Sequence, residues 1–141
     1  MNPSYLSYKD KLQKIADIKY ASAVLQWDQE TYLPKNSGDA RGRQIVTLNE
    51  LAHQKFTDEN FGNILHELSA NEDLNIREKR NVHLSLKDFN KSKKLSSAFV
   101  RQMSEAVNKS FHAWIAARTL NDFTLFKQPL QEIITLKKTG G

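Results

Sequence analysis

The scarcity of helix-breaking residues is the feature that most constrains how this chain can fold. The 141 residues include only 5 Gly and 3 Pro, and none of these lies between Pro3 and Pro34. A strand-rich sandwich needs many tight turns, whereas long helices need few such residues. With 39% hydrophobic and 26% charged residues, the chain can bury a modest core. We predict an all-α fold in which residues 1–141 form a single helical domain of long antiparallel hairpins or a bundle.

Apolar residues at spacings of three and four predict about six helices. Their predicted first or capping residues are, in order, Ser4, Gly38 or Asp39, Thr57, Asn71 or Asp73, Ser96 or Ser97, and Asn121. Pro34 ends the first helix near Tyr32, before a turn, and the second helix ends near Phe56. Pro129 either kinks the sixth helix or marks its true start.

The fifth predicted helix carries the most regular apolar pattern. Its members are Val100, Met103, Val107, Phe111 and Trp114. Alternating spacings of three and four residues are typical of a coiled-coil-like seam. We predict that this seam packs on a neighbouring helix.

The segment from Arg77 to Lys94 holds most of the excess positive charge. Its basic residues are Arg77, Lys79, Arg80, Lys87, Lys91, Lys93 and Lys94, against the acidic Glu78 and Asp88. Such a segment can contact phosphate. Aromatic residues do not interleave with the lysines as base stacking would require. We therefore favour a solvated helix face and do not expect a nucleic-acid partner.

The chain contains no cysteine, which excludes disulfides and thiolate metal sites. Residues Met1–Tyr5 show no basic segment leading into an apolar run, as a signal peptide would. No apolar stretch approaches the roughly 18 residues that span a bilayer. We expect a cytoplasmic protein without a membrane partner.

Histidines offer one incomplete metal motif. The chain has His53, His66, His83 and His112. His66-Glu67 begins like the zinc-binding helix H-E-x-x-H, in which two imidazoles one turn apart reach the same ion. Position 70 is Ala, so the second ligand is absent. We predict no catalytic, metal or cofactor site within this chain.

One polar and aromatic constellation closes the first predicted helix, at Trp27, Asp28 and Gln29. In a structural interpretation Trp27 is a core anchor and Asp28 pairs with Arg41 or Arg43. In a functional interpretation the same residues line a cleft. The residue types favour the structural interpretation, and both remain open.

The same residues carry a resemblance to a known family. The matching segments are Ile15-Ala16-Asp17, Leu25 to Pro34, Ala40-Arg41, Gln44, Thr47-Leu48, Leu51-Ala52-His53 and Phe56-Thr57. Looser matches follow at Ser96 to Arg101, Ala113 to Ala117 and Asn121 to Phe123. From about Tyr5 to Lys138 the chain resembles the N-terminal region of the Taq-type metallocarboxypeptidases, the thermostable carboxypeptidase 1 family.

The resemblance implies a helical fold and a much longer parent enzyme. Such an enzyme removes residues from peptide C-termini with a divalent metal, zinc or cobalt, held by an H-E-x-x-H helix and a downstream Glu. The metal polarises the scissile carbonyl and lowers the pKa of water. The N-terminal helices form a wall and lid of the peptide cleft. Trp27, Asp28 and Gln29 match the family motif and Arg41 is a weaker companion, whereas no residue matches the metal ligands.

We accordingly expect an N-terminal fragment or truncated homologue of such a carboxypeptidase, inactive alone, whose partner is the rest of the peptidase chain. The alternative is a non-enzymatic interaction module that self-associates through the seam of the fifth helix, because apolar surface left bare seeks a partner.

Overall fold

The computed structural model describes residues 2–31 and 38–140. These ranges contain six helices and no strand, which confirms the all-α class. The helices are α1 (Pro3–Thr31), α2 (Gly38–Phe56), α3 (Glu59–Ser69), α4 (Ile76–Lys93), α5 (Ser97–Leu120) and α6 (Thr124–Gly140). The helix end predicted at Tyr32 and the turn after it lie outside the described residues. No helix in the described ranges is long and apolar enough to cross a membrane.

The first two corrections concern helix caps near the N-terminus. Asn2 caps α1 instead of Ser4, because its Oδ1 accepts the Ser4 backbone N–H at 2.8 Å. Pro3 then occupies the first helical position, where its missing N–H costs nothing. Asp58 caps α3 instead of Thr57, whose hydroxyl donates to the His53 carbonyl at the end of α2.

The cap of α4 is Asn75, so the prediction of Asn71 or Asp73 was wrong. Asn75 accepts the Glu78 N–H at 2.8 Å, and Glu78 accepts the Asn75 N–H at 3.0 Å. This reciprocal capping box satisfies two helix-end donors at once. At α5 the prediction is confirmed, because Ser96 accepts the Phe99 N–H at 3.0 Å.

The junction of α5 and α6 also differs from its prediction. Asn121 ends α5 in the left-handed conformation, with φ of 53°, instead of capping α6. Asn tolerates this conformation better than most residues with a Cβ. The Asp122 carboxylate accepts the Thr124 N–H at 3.2 Å and begins α6. Pro129 is buried inside α6 and does not mark its start.

Antiparallel contacts arrange the helices as neighbouring hairpins. α2 returns along α1, α5 returns along α2, and α6 packs on α5. α3 and α4 pack on each other, and both contact the first half of α1. The α1–α2 register follows from the Ser22–Asn49 hydrogen bond and the Asp28–Arg41 ion pair. Because α1 and α5 are each antiparallel to α2, they run in the same direction.

The main apolar core lies where the first half of α1 meets α3 and α4. Its buried members are Tyr5, Tyr8, Phe61, Leu65, Leu68, Leu74, Val82 and Phe89. The rings of Tyr8 and Phe61 stack with centroids 6.2 Å apart. Such aromatic pairs add to the free energy gained by burial alone.

The buried line of α5 is not the predicted seam. Val107 is 49% and Trp114 40% exposed, whereas Ala106, Ser110 and Ala117 are buried. Small side chains let α5 approach its neighbours closely, so the larger apolar residues beside them remain in solvent. Val100, Met103 and Phe111 of the predicted seam are half-buried, so spacing correctly predicted an amphipathic helix but placed the centre of its buried face beside the true one.

We expect Gly62→Ala to destabilise the protein by about 1–3 kcal/mol, as overpacked cores are. A Cβ at Gly62 would overlap the Phe89 ring, which is only 3% exposed and has little room to move. Asn63→Ala, at an exposed position of the same helix, is the control. Urea unfolding measures both, and a Gly62→Ala protein more stable than wild type would contradict the close packing, since Ala otherwise favours a helix.

Tyr8 makes the free energy of unfolding depend on pH in the alkaline range. Burial raises the pKa of its hydroxyl, which donates to the Asn81 carbonyl at 3.2 Å and lies 2.7 Å from Ser85 Oγ. Because the pKa of Tyr8 is higher in the folded than in the unfolded protein, the neutral hydroxyl contributes its full stabilisation below the unfolded-state pKa of about 10. That contribution is lost as pH rises through the folded-state pKa.

The free-energy difference between wild type and Tyr8→Phe should therefore shrink as pH rises above about 10. At neutral pH Tyr8→Phe should cost about 0.5–1.5 kcal/mol through its lost hydrogen bonds. Urea unfolding across pH tests this, with Tyr20→Phe as control because Tyr20 is 73% exposed. A pH-independent difference for Tyr8→Phe would disprove the effect.

Candidate functional site

The last turn of α1 sends its three motif side chains in different directions. Successive residues of a helix point about 100° apart. Trp27 is 56% exposed, Asp28 is half-buried and Gln29 is only 5% exposed. The exposure of Trp27 rules out the core-anchor interpretation. Its predicted place along a cleft stays a prediction.

Asp28 pairs with Arg41, which confirms one of the two partners predicted for it. The Asp28 Oδ2 lies 3.1 Å from an Arg41 guanidinium nitrogen. Another nitrogen of that guanidinium donates to Gln44 Oε1 at 3.1 Å. Both charged side chains are partly in solvent, so we expect the pair to contribute at most about 1 kcal/mol. It fixes the register of α1 on α2 more than it stabilises the fold.

Gln29 joins α1 to α5. Its Nε2 donates to Asn108 Oδ1 at 3.0 Å. Gly42 of α2 lies against the same Asn108, and a Cβ there would overlap the Asn108 amide. Glycine therefore allows this close approach, and the three helices meet at one amide pair formed by the buried Gln29 and the half-buried Asn108.

A second polar contact joins the same three helices about two turns earlier in α1. Ser22 donates to Asn49 Oδ1 at 2.7 Å, and Asn49 Nδ2 donates to Ser104 Oγ at 3.0 Å. We call the residues of these two contacts, together with Gly42, the polar junction: Ser22, Gln29, Gly42, Asn49, Ser104 and Asn108. Sequence reasoning identified only Gln29 as a site residue. The seven-residue spacing of Ser22 and Gln29 after Ile15 was the signal that could have placed Ser22 with it.

Two atoms beside these contacts lack a hydrogen-bond partner within the described ranges. They are Gln29 Oε1 and Arg41 Nε, both buried. A buried polar atom left unpaired costs free energy. The polar contacts position helices, and the chemistry of amides and hydroxyls there includes no ionised nucleophile or acid–base pair.

The histidines are dispersed in the structure. His66 is exposed on α3, and Glu67 beside it accepts the Ser4 hydroxyl at 2.8 Å. His53 Nε2 lies 2.9 Å from the Leu95 carbonyl oxygen. No group of three or more His, Cys, Asp or Glu in residues 2–31 and 38–140 could hold a metal ion. The described residues therefore do not fit a catalytic metal.

Comparison with known proteins decides the family. Residues 7–140 match the family model of the carboxypeptidase Taq (M32) metallopeptidases. This chain belongs to the M32 family. The thermostable carboxypeptidase 1 of Pyrococcus furiosus is 29% identical over 131 residues, covering 93% of this chain but 26% of the relative. Carboxypeptidase 1 of Bacillus subtilis is 28% identical over 130 residues, with 92% and 26% covered.

Solved structures of similar proteins share the helical arrangement. The M32 carboxypeptidase of Deinococcus radiodurans matches with a TM-score of 0.77 and 32% identity, covering 99% of this chain and 28% of that one. The BsuCP crystal structure matches with a TM-score of 0.94 and 26% identity over the same shares. This M32 chain thus spans about a quarter of the length of the curated relatives it matches.

Membership in M32 implies a metal, and the described residues contain no group of three or more His, Cys, Asp or Glu that could hold it. No catalytic step is therefore assigned to them. The motif at Trp27, Asp28 and Gln29 lies within the matched region, and the geometry gives Asp28 and Gln29 positioning contacts.

We expect Gln29 to matter more for stability than its charged neighbour. Asn108→Ala should destabilise this M32 chain by about 1–3 kcal/mol, because Gln29 would lose the partner of its buried amide. Asp28→Asn should cost at most about 1 kcal/mol. Urea unfolding compares the two, with the exposed Asn90→Ala as control. The reverse order would show that the ion pair, not the amide pair, holds the helices together.

Proposed function

We propose that this chain forms the N-terminal helical part of a metal-dependent carboxypeptidase that removes residues from peptide C-termini. The observation that carries the proposal is the M32 match over residues 7–140, together with coverage of 26% of the matched enzymes. Residues 1–141 act as one helical domain in this proposal, and zinc or cobalt binds to ligands that other residues of the enzyme supply. The enzyme acts in the cytoplasm.

The end of α5 extends beyond its neighbouring helix, and this geometry supports the proposal that further polypeptide packs there. α1 and α5 run in the same direction, and Gln29 near the end of α1 contacts Asn108. From Asn108, α5 continues 12 residues to Leu120, which is about 18 Å of helix. α2 begins only 4 residues before Gly42, or about 6 Å away. The last turns of α5 therefore extend beyond the start of α2.

Large apolar side chains are concentrated at that extension. We call Trp114, Ile115, Leu120 and Phe123 the apolar end; their exposed fractions are 40%, 40%, 68% and 62%. Clustered apolar residues in solvent mark surfaces that other protein covers. Trp27 is exposed on the final turn of α1, which runs toward the same end. In the proposed enzyme the rest of the polypeptide covers the apolar end.

The polar junction suits the wall of a cleft. It fixes α1, α2 and α5 relative to one another through directional hydrogen bonds. Rigid helices position groups more accurately than loops do. We propose that Trp27, with Asp28, Gln29 and Arg41 behind it, belongs to the helix junction that shapes the peptide cleft.

A non-enzymatic interaction module is the second candidate. The apolar end, together with exposed Val107 at 49%, could bind a second copy of this chain. In that case the chain would self-associate through α5 and would have no use for a catalytic remainder. The two candidates therefore differ in what covers the same surface.

We expect the chain alone to release no C-terminal residues from peptides, with or without added Zn²⁺ or Co²⁺. Mixing it with Bacillus subtilis carboxypeptidase 1 that lacks the matching quarter should restore metal-dependent release, because the chain would supply the absent helices. Amino-acid release measures activity, and light scattering measures the mass of each component and of the mixture. A chain carrying Trp114→Ser and Leu120→Ser is the matched control and should complement less well.

Each outcome has a distinct meaning. Metal-dependent release by the chain alone would overturn the prediction of inactivity. A self-associated chain that neither binds nor activates the catalytic remainder would favour the interaction module. A monodisperse monomer that restores activity would exclude that alternative and support the proposed enzyme part.

A further inference from the structure

A basic stripe runs along the solvent side of α4. We give this name to Arg80, Lys87, Lys91 and Lys94. Spacings of 7, 4 and 3 residues place all four on one helix face. The stripe extends over about 21 Å, and all four residues are exposed.

The charge of the whole chain is concentrated around this stripe. Residues 77–94 contain 7 basic and 2 acidic residues, a difference of +5, which equals the net charge of the whole chain. Of the two acids, Glu78 is held in the capping box of α4. Asp88 is therefore the one acid of α4 left to offset the stripe.

The cations of the stripe form no ion pair with another side chain in the described part of the chain. Ion pairs in residues 2–31 and 38–140 are Lys14–Asp10, Arg41–Asp28 and Lys109–Glu132. None of them involves α4. Lys93 lies 5.9 Å from the Phe89 ring, on the side of α4 away from the stripe. Unpaired like charges on one face repel each other, and an anionic partner would relieve that repulsion.

A groove lies beside the stripe, between α1 and α4. Its lining combines the apolar Leu12, Ala16 and Leu84 with the polar Lys9 and Gln13, and its volume is about 460 Å³. Leu84 is 49% exposed, at the edge of the groove that adjoins the stripe. Apolar side chains of a partner could therefore enter the groove while its carboxylates face the stripe.

We propose that the basic stripe and the α1–α4 groove together bind an acidic polypeptide segment that also carries apolar residues. The apolar side chains of the groove gain nothing from a phosphate backbone, and no exposed Phe, Tyr or Trp lies on α4 to stack with a base, since Phe89 is buried. Two exposed apolar residues on α4, Ile76 and Leu84, are few for a membrane surface. The inference stands apart from peptidase activity, because it uses no residue of the polar junction.

Fluorescence anisotropy with a labelled peptide of glutamates and leucines tests the proposal. A length of about eight residues spans the stripe when extended. We expect saturable binding that weakens as salt rises from about 20 mM to about 200 mM, because exposed charges are screened. The same peptide with Gln for Glu should bind much less, and so should one with Ser for Leu.

Variants locate the binding surface. Arg80→Gln, Lys87→Gln and Lys91→Gln together should weaken binding about three- to thirtyfold, the loss expected for three surface ion pairs. Arg43→Gln, Arg101→Gln and Lys127→Gln remove the same charge from exposed positions on α2, α5 and α6 and form the matched control. Leu84→Ser tests the groove, and circular dichroism confirms that each variant is folded.

Equal weakening by the two triple variants would show a diffuse charge effect and overturn the proposal. So would the absence of peptide binding at low salt. A duplex or single-stranded DNA that binds through the stripe more tightly than the peptide, with no effect of Leu84→Ser, would assign the surface to nucleic acid. An anionic vesicle that binds in the same way would assign it to a membrane.

Discussion

One line of buried side chains along α1 holds the helices together. Tyr8, Ile15, Ser22 and Gln29 are spaced by seven residues, and all four are buried. A spacing of seven keeps side chains near one face of a helix. The line is apolar where α1 meets α3 and α4, and polar where it meets α2 and α5. α1 therefore joins both halves of the structure: apolar packing holds α3 and α4 to it, and hydrogen bonds hold α2 and α5 to it.

The difference between these halves bears on the proposed enzyme. Burial of aromatic rings is non-directional, whereas amide and hydroxyl contacts hold only in a narrow geometry. The polar junction thus fixes the angles between α1, α2 and α5, at the cost of leaving Gln29 Oε1 buried without a partner in the described ranges. A wall that must keep its shape beside a cleft benefits from such contacts. A small apolar core alone would constrain the same helices less strictly.

The exposed surfaces of the two halves also differ in chemistry. The apolar end lies at the far end of α5, while the unpaired cations lie on α4, beside the first half of α1. The matched M32 relatives are about four times longer, and in the proposed enzyme the additional residues cover the apolar end. The charged stripe is different, because high charge remains stable in water without a partner. Its proposed role depends on complementarity and not on burial.

The sequence by itself determined the helical class, the bounds of α2 and the family, and it reduced the partner of Asp28 to Arg41 or Arg43, between which the structure selects Arg41. The scarcity of helix-breaking residues, the periodic spacing of apolar residues and a local motif all involve residues close together in the sequence. They can therefore be read from the sequence without a structure. Cap positions at Ser4, Thr57 and Asn121 were wrong because several capping residues stood together and only packing selected one.

Tertiary structure alone decided which face of α5 is buried and that Asn108 meets Gln29. Residues 29 and 108 are far apart in the chain, and their contact depends on how closely α2 lets α5 approach at Gly42. Small residues occupy the buried positions of α5 because the space between the packed helices excludes larger side chains. The size of that space depends on how the helices pack, so the sequence of one helix does not reveal it.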